Sequence, residues 1–229
     1  PLVSGHVGGA NALARRIAAA IGAQAAVTTA TDGNDVFAVD TWAADQGFLV
    51  VRPNAAKAVS AALLNGEPVG FHSDFPVEGT LPKGISLTYE ETFQTTCWLL
   101  PRILTLGIGC KRGTEPIKIQ KAVDSTLQVK YLYMESVQNV ASIDKKCDEI
   151  GLLEFCKANC LVCNFFSAEQ LTRAKGHFTG SAFVQNTVGV DNVCERAAVL
   201  GSGGALLVGK QVFSGVTVAV AAAPLVIRF

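Results

Sequence analysis

Apolar positions recur at helical spacing near the start of the chain. Leu13, Ile17 and Ala20 or Ile21 fall on one stripe of residues 11–21, with Arg15 and Arg16 off it and Gly22 behind it. That spacing predicts an amphipathic helix with a glycine stop. Residues 1–3 form a short apolar run ahead of it, and 25–29 a second strand-like run ending in the polar stretch 28–34. Asp40 is placed to cap a helix over 42–46 before Gly47. Residues 54–64 continue as a helix closed by Asn65 and Gly66. Residues 69–72 and 85–89 have strand character on either side of a loop containing proline and glycine.

From residue 101 the pattern becomes an alternation. An apolar run at 103–108 predicts a buried strand, 109–115 a turn, and 116–127 a helix opened by Pro116. A strand at 137–143, a helix at 149–158 and a strand at 162–166 follow. Ser167 with Gln170 has the form of a capping box for the next helix. Residues 194–200 are helical by pattern, 201–204 a glycine turn, and 205–208 and 216–222 two more strands. The alternation predicts an α/β protein of layered sheets with flanking helices. The apolar stretch 216–227 is β-branched, interrupted by Pro224, and short of the about 20 residues a membrane helix requires. The opening residues lack the basic flank and continuous apolar run of a signal peptide.

Composition narrows the partners. The 229 residues are 49% hydrophobic, enough for a substantial core, and 19 basic residues balance 19 acidic ones. A formally neutral chain has no long-range field favouring nucleic acid or an anionic membrane, so an acidic ligand would be held by local donors. Seven cysteines, an odd number without disulfide-scaffold density, predict a reducing, cytoplasmic setting.

Four groups of residues carry candidate chemistry. Ser4, His6 and the glycines 5, 8 and 9 precede the first helix, whose first-turn N–H groups have no internal partner and suit an anionic group. His6 titrates near working pH and suits proton transfer. A histidine in a glycine turn is also an ordinary loop residue, and both readings stand. The segment Gly107-Ile-Gly-Cys-Lys-Arg-Gly113 joins a strand to a helix and presents Cys110, Lys111 and Arg112. It suits carboxylates or phosphates, lacks both the dinucleotide fingerprint and the phosphate-loop ending, and has a plain tight turn as its alternative. Cys156, Cys160 and Cys163 have the spacing of iron–sulfur thiolates. Cys156 and Cys160 fall one turn apart on a predicted helix and Cys163 on a strand, so buried thiols acting as small hydrophobes are the better reading. The charged run 142–149 reads as a solvated loop and cap, with a site as its alternative, and Glu195 lies in the first turn of an apolar helix, where it would stabilise the helix end or face a ligand.

Taken together, several motifs resemble one family. Ser4-Gly-His-Val-Gly-Gly-Ala-Asn11, Thr28-Thr-Ala-Thr-Asp32 and Leu106-Gly-Ile-Gly-Cys-Lys-Arg-Gly113 occur in order. They are followed by Ala141-Ser-Ile-Asp144 with Lys146, Asp148 and Glu149, then Phe166-Ser-Ala-Glu169 with Leu171. Residues 193–198 around Glu195 and Val216-Thr-Val-Ala219 complete the set. This pattern resembles the cobalt-precorrin 5A hydrolase family of anaerobic cobalamin biosynthesis. The resemblance implies hydrolysis of the lactone of cobalt-precorrin 5A with release of acetaldehyde, giving cobalt-precorrin 5B. It implies catalytic roles for His6 and Ser4. Substrate contacts would come from Gly8, Gly9, Asn11, Thr29, Asp32, Gly109, Cys110, Lys111, Arg112, Gly113, Lys146 and Glu195.

The expected partner is the cobalt-containing tetrapyrrole, whose cobalt belongs to the substrate; no protein-held metal or cofactor is expected. Other cobalamin-pathway enzymes or a second copy of the chain are further partners left open, and nucleic acid and membrane are not expected. By the same resemblance, residues 1–40 are the remnant of an N-terminal α/β domain, 41–100 a middle linking region and 101–229 a C-terminal α/β domain. The family normally carries several dozen residues ahead of the Ser-Gly-His motif, and loss of neighbouring strands would expose a sheet edge and apolar surface. The C-terminal part also resembles a stand-alone protein of the aerobic route, which leaves a non-catalytic corrinoid-intermediate binding protein as one alternative, and the spacing of Cys156, Cys160 and Cys163 leaves a cysteine-ligated iron–sulfur protein as another.

Overall fold

A computed structural model describes residues 9–23, 36–87, 97–181 and 189–229. They form a mixed α/β architecture of several sheets with flanking helices. The chain divides into two compact units, Pro1–Pro101 with Leu225–Phe229, and Arg102–Pro224.

In the second unit a five-stranded sheet has the order β8-β7-β6-β10-β9. Its strands are β6 (Leu104–Cys110), β7 (Val137–Ile143), β8 (Val162–Phe166), β9 (Ala205–Phe213) and β10 (Val216–Ala222). β6, β7 and β8 are parallel, while β10 runs antiparallel to both β6 and β9. Alternation along β6 assigns its two faces. Leu104, Leu106 and Ile108 join Val218 and Val220 in a core completed by helices α4 (Pro116–Gln128) and α5 (Ile150–Ala158), through Ile119, Val123, Leu127, Leu152 and Phe155. The opposite face is made of small residues, among them Ala141, Ala219 and Ala221, and receives α7 (Cys194–Ser202) through Ala197 and Ala198.

That small-residue face brings helix and strand backbones together. A Cβ on Gly107 would stand 1.8 Å from the carbonyl oxygen of Cys194 and 2.8 Å from the Ala198 nitrogen. A Cβ on Gly201 would meet Thr105 Cγ2 at 2.8 Å and Ala141 Cβ at 3.0 Å. α7 ends on Gly203 in the left-handed region, φ 65°, the usual glycine helix stop.

Strand lengths depart from the sequence pattern where pairing extends them. Gly109 and Cys110, expected in a turn, continue β6 because they pair with Thr217 and Val216 of β10. β9 runs to Phe213 beyond its apolar start for the same reason, forming a hairpin with β10 through Gly215. The predicted capping box opens α6 (Ala168–Thr172). The Gln170 N–H donates to Ser167 Oγ at 3.1 Å, and the Ser167 N–H donates to Gln170 Oε1 at 2.8 Å.

The first unit contains α1 (Gly9–Ile21), α2 (Val39–Asp45) and α3 (Pro53–Leu64). Among its described residues it also contains three two-stranded pairings. β1 (Phe48–Val50) is antiparallel to β5 (Leu99–Pro101). β2 (Val69–Phe71) is parallel to β4 (Ile85–Leu87), and β3 (Val77–Glu78) to β11 (Ile227–Arg228). An aromatic cluster holds the last residues in place. Trp42 stacks on Phe229 with centroids 4.7 Å apart, Phe37 and Phe71 flank Phe229, and the Trp42 indole N–H donates to the Arg228 carbonyl at 3.0 Å. α2 begins before Asp40, which sits in its first turn rather than at the cap and accepts the Thr41 N–H at 2.9 Å. On α1 the stripe of Leu13, Ile17 and Ile21 is exposed and Ala18 is buried. Spacing defines the stripe; it does not supply a covering surface.

Gly107→Ala is expected to destabilise the second unit by at least about 1–3 kcal/mol, because the added methyl meets backbone on both sides and no rotamer relieves it. The loss would appear as a lower urea midpoint followed by far-ultraviolet circular dichroism.

Candidate functional site at the ends of β6 and β7

Parallel strands deliver their following loops to one edge of a sheet, where ligands of α/β folds bind. Here β6 leads into residues 111–115 and β7 into a 3₁₀ turn, Asp144–Lys146, followed by 147–149. The first loop is fixed at its base. The Lys111 N–H donates to the Gly215 carbonyl at 2.8 Å, and Thr114 Oγ1 donates to the Lys111 carbonyl at 2.8 Å. Gly113 adopts φ 74°, a left-handed conformation that favours glycine.

Glu149 joins the two loops. Its carboxylate is 2% exposed, accepts the Gly113 N–H at 2.9 Å on Oε1, and pairs with Lys146 Nζ at 3.2 Å on Oε2. Arg112 spans the same gap. Its Nη1 donates to Asp148 Oδ1 at 2.6 Å, its Nη2 to the Lys145 carbonyl at 3.2 Å, and its Nε lies 3.9 Å from Glu149 Oε2. Gly151 completes the contact, since a Cβ there would lie 1.8 Å from the Thr114 carbonyl oxygen.

The electrostatic consequences follow from these contacts. The hydrogen bond from Arg112 holds the Asp148 carboxyl below the usual carboxylate range. Burial pushes the Cys110 thiol up, opposed by Lys146 and assisted by Glu149. Cys110 is therefore a protonated, half-buried wall of the site rather than a ready thiolate.

Of the residues singled out by sequence, Gly109, Cys110, Lys111, Arg112, Gly113 and Lys146 come together at this edge. Gly109 lies within β6, where a Cβ would stand 2.7 Å from Thr217 Oγ1. Glu195 lies in the first turn of α7, 2% exposed. Its carboxylate accepts the Lys210 N–H at 2.7 Å, the Thr179 N–H at 2.7 Å, Thr179 Oγ1 at 3.2 Å and Asn192 Nδ2 at 2.6 Å. It thus ties the α7 start to β9 and to residue 179. Gly9 opens α1 and Asn11 follows in its first turn. Ser4, His6, Gly8, Thr29 and Asp32 lie outside the described residues.

Sequence reasoning missed Asp148 and Glu149 as members of the loop network, having read the 142–149 run as solvated. Their partners Arg112 and Gly113 are 36 residues away. The one local signal was an acidic residue directly ahead of an apolar helix.

The cysteine motif does not converge. Cys156 is buried on α5, Cys160 lies beyond the helix end with φ 54° and is exposed, and Cys163 lies on β8. The neighbouring Cys156 thiol and burial together drive the Cys163 thiol upward. Among the described residues no three His, Cys, Asp or Glu side chains are arranged to hold a metal ion, which argues against the iron–sulfur alternative. No helix among them is long and apolar enough to cross a membrane.

Comparison with known proteins places this architecture. The family description "Cobalamin synthesis G C-terminus" matches residues 104–221, "Cobalamin biosynthesis central region" matches 37–98, and "Cobalamin synthesis G N-terminal" matches 1–32. The crystal structure of CobE, a protein from the cobalamin (vitamin B12) biosynthetic pathway, is similar with a TM-score of 0.50 and 27% identity. The match covers 54% of this chain and 92% of that one. The matches thus define an α/β protein of the cobalamin-biosynthesis families. Cobalt-precorrin-5A hydrolase of Salmonella typhimurium LT2 is 31% identical over 242 residues, covering 95% of this chain and 69% of the relative. The enzyme of that name from Priestia megaterium is 28% identical over 255 residues, covering 97% and 68%. The chain belongs to the cobalt-precorrin-5A hydrolase family.

Glu195→Gln is expected to destabilise the chain by about 2 kcal/mol or more, because the amide turns a donor toward donors inside a buried network. Urea denaturation at pH 7 checks it. The Asp148 pairing has a defined pH signature. Its folded value lies below the unfolded value of about 3.9, so its contribution is present above that pH and lost as pH falls through the folded value. The small stability advantage of wild type over Asp148→Asn should therefore vanish on the acid limb of a pH series of urea midpoints. An advantage unchanged at about pH 2.5 would assign it to another cause.

Proposed function

We propose that this chain hydrolyses the lactone of cobalt-precorrin 5A and releases acetaldehyde, giving cobalt-precorrin 5B. The observation that carries the reading is the 31% identity to the Salmonella typhimurium hydrolase across 95% of the chain. The sheet-edge loops support it by gathering Lys111, Arg112 and Lys146 where the carboxylates of an acidic macrocycle would be received.

The reaction sets its own requirements. Water adds to the lactone carbonyl, the ring ester C–O bond breaks, and a carboxylate and an alcohol result. Loss of the alcohol proton then forms the aldehyde carbonyl and breaks the carbon–carbon bond to the macrocycle, which keeps the electron pair and takes up a proton. A base near neutrality and donors for the carbonyl oxyanion are needed in both stages. His6 is proposed as that base, directly or through water. Ser4 and the N–H groups of Gly8 and Gly9 are proposed as oxyanion or carboxylate donors, because a glycine-rich segment leading into a helix suits an anionic group. Arg112, with its planar fork of donors, suits a carboxylate better than a lysine would. Cobalt enters as part of the substrate.

Corrinoid binding without cleavage is the second reading, favoured by the likeness to CobE over 92% of that protein's length. Anaerobic incubation of the purified chain with cobalt-precorrin 5A, following acetaldehyde together with macrocycle binding, separates the two. Acetaldehyde release is expected, with His6→Ala lowering the rate at saturating substrate by about 100-fold or more. An unchanged rate in that variant would remove histidine from the chemistry, and binding without acetaldehyde would establish the second reading.

A further inference from the structure

The two carboxylates that face Arg112 are held very differently. Glu149 is buried and has two further partners, the Gly113 N–H and Lys146, so its release would leave a buried charge and two groups unpaired. Asp148 is 68% exposed, and the Arg112 side chain it meets is 63% exposed. An ion pair open to water on both sides contributes little net stability, because solvent competes for each partner. Arg112 does not depend on Asp148 for its placement, since Nη2 stays bonded to the Lys145 carbonyl and Nε stays near Glu149.

Charge adds a second constraint. Residues 111–115 and 144–149 contain four basic and four acidic residues, so the paired loops are formally neutral. With no excess positive charge in the loops, a ligand carboxylate gains the Nη1 donor of Arg112 only by taking the place of the carboxylate that already accepts from it. Of the two carboxylates that face Arg112, Asp148 is the one whose replacement leaves no buried group unpaired.

We infer that Asp148 is an internal stand-in for a ligand carboxylate, taking up the Nη1 donor of Arg112 and exchanging for a peripheral carboxylate of the tetrapyrrole, which makes it a specificity-determining residue. This rests on the reading that the loops at the ends of β6 and β7 receive an acidic macrocycle. The exchange replaces one charge-assisted hydrogen bond by another of the same kind, so a free carboxylate completes it. An amide carries no charge to offset the one it displaces, and amidated side chains do not complete it. Asp148 thereby sets a threshold of acidity, favouring macrocycles whose side chains remain free acids.

Equilibrium dialysis of the full chain with two cobalt corrinoid probes tests this: cobyrinic acid, with free carboxylates, and cobinamide, with amides in their place. Asp148→Asn keeps the shape of the residue and removes the competing charge. It should tighten cobyrinic acid binding by about three- to tenfold and leave cobinamide unchanged. Arg112→Gln should weaken cobyrinic acid binding, and adding Asp148→Asn to it should bring no further gain. Asp148→Ser guards against an effect peculiar to asparagine and should behave alike. An equal gain from Asp148→Asn in the Arg112→Gln background would make the effect one of general charge and overturn the exchange. Cobyrinic acid binding that ignores Asp148→Asn would overturn this inference alone. Absence of binding to the wild-type chain would overturn the reading of the site and the inference with it.

Discussion

The contact between α7 and β6 at Gly107 governs the second unit. A helix carbonyl stands where any side chain at residue 107 would have to be, so the helix backbone lies directly on the strand. Alanines 141, 219 and 221 extend the same low surface across β7 and β10. With α7 seated, its first turn brings Glu195 to the backbone of Lys210 and to Thr179, and Asn192 caps the turn by accepting the Glu195 N–H at 2.9 Å. A buried carboxylate is tolerable only when its lone pairs are met, and four donors meet this one. The helix, the edge strand β9 and the segment around residue 179 thus hold together through one charge placed by one close approach.

The other face of β6 is built by volume rather than closeness. Leucine, isoleucine and valine from β6 and β10 interdigitate with α4 and α5. β6 is paired with β7 as far as Gly107 and with β10 as far as Cys110, and so delivers Lys111 and Arg112 at the sheet edge. α5 then starts against the Thr114 carbonyl, which brings Glu149 under Gly113. The cations of this edge are not loose surface charges. Glu149 holds Lys146, and Arg112 is hydrogen-bonded at two of its nitrogens with the third near Glu149, so the site is organised before any ligand arrives.

Much of this was legible along the chain because it is local. The alternation of apolar runs from residue 103 onward predicts the strands and helices of the second unit, Pro116 opens α4, and Ser167 with Gln170 caps α6, since each signal spans only a few residues. The site was partly legible too, since Lys111, Arg112 and Lys146 follow predicted strands. Their pairing was not. The run at 142–149 contains alternating charges in any fold, and only the packing of α5 against the 111–115 loop buries Glu149 while leaving Asp148 in water.

By itself the sequence determined periodicity, caps, the α/β class and which residue types stand after which strands, all of which follow from backbone preference and spacing over a few residues. Tertiary structure alone decided that Gly107 serves helix packing, that Gly109 and Cys110 belong to a strand, that Glu195 is closed off by four donors, and that the α1 stripe is exposed. Each of these depends on what lies across a sheet or a loop dozens of residues distant. Burial and partner choice are properties of that surrounding, and chain spacing carries no record of it.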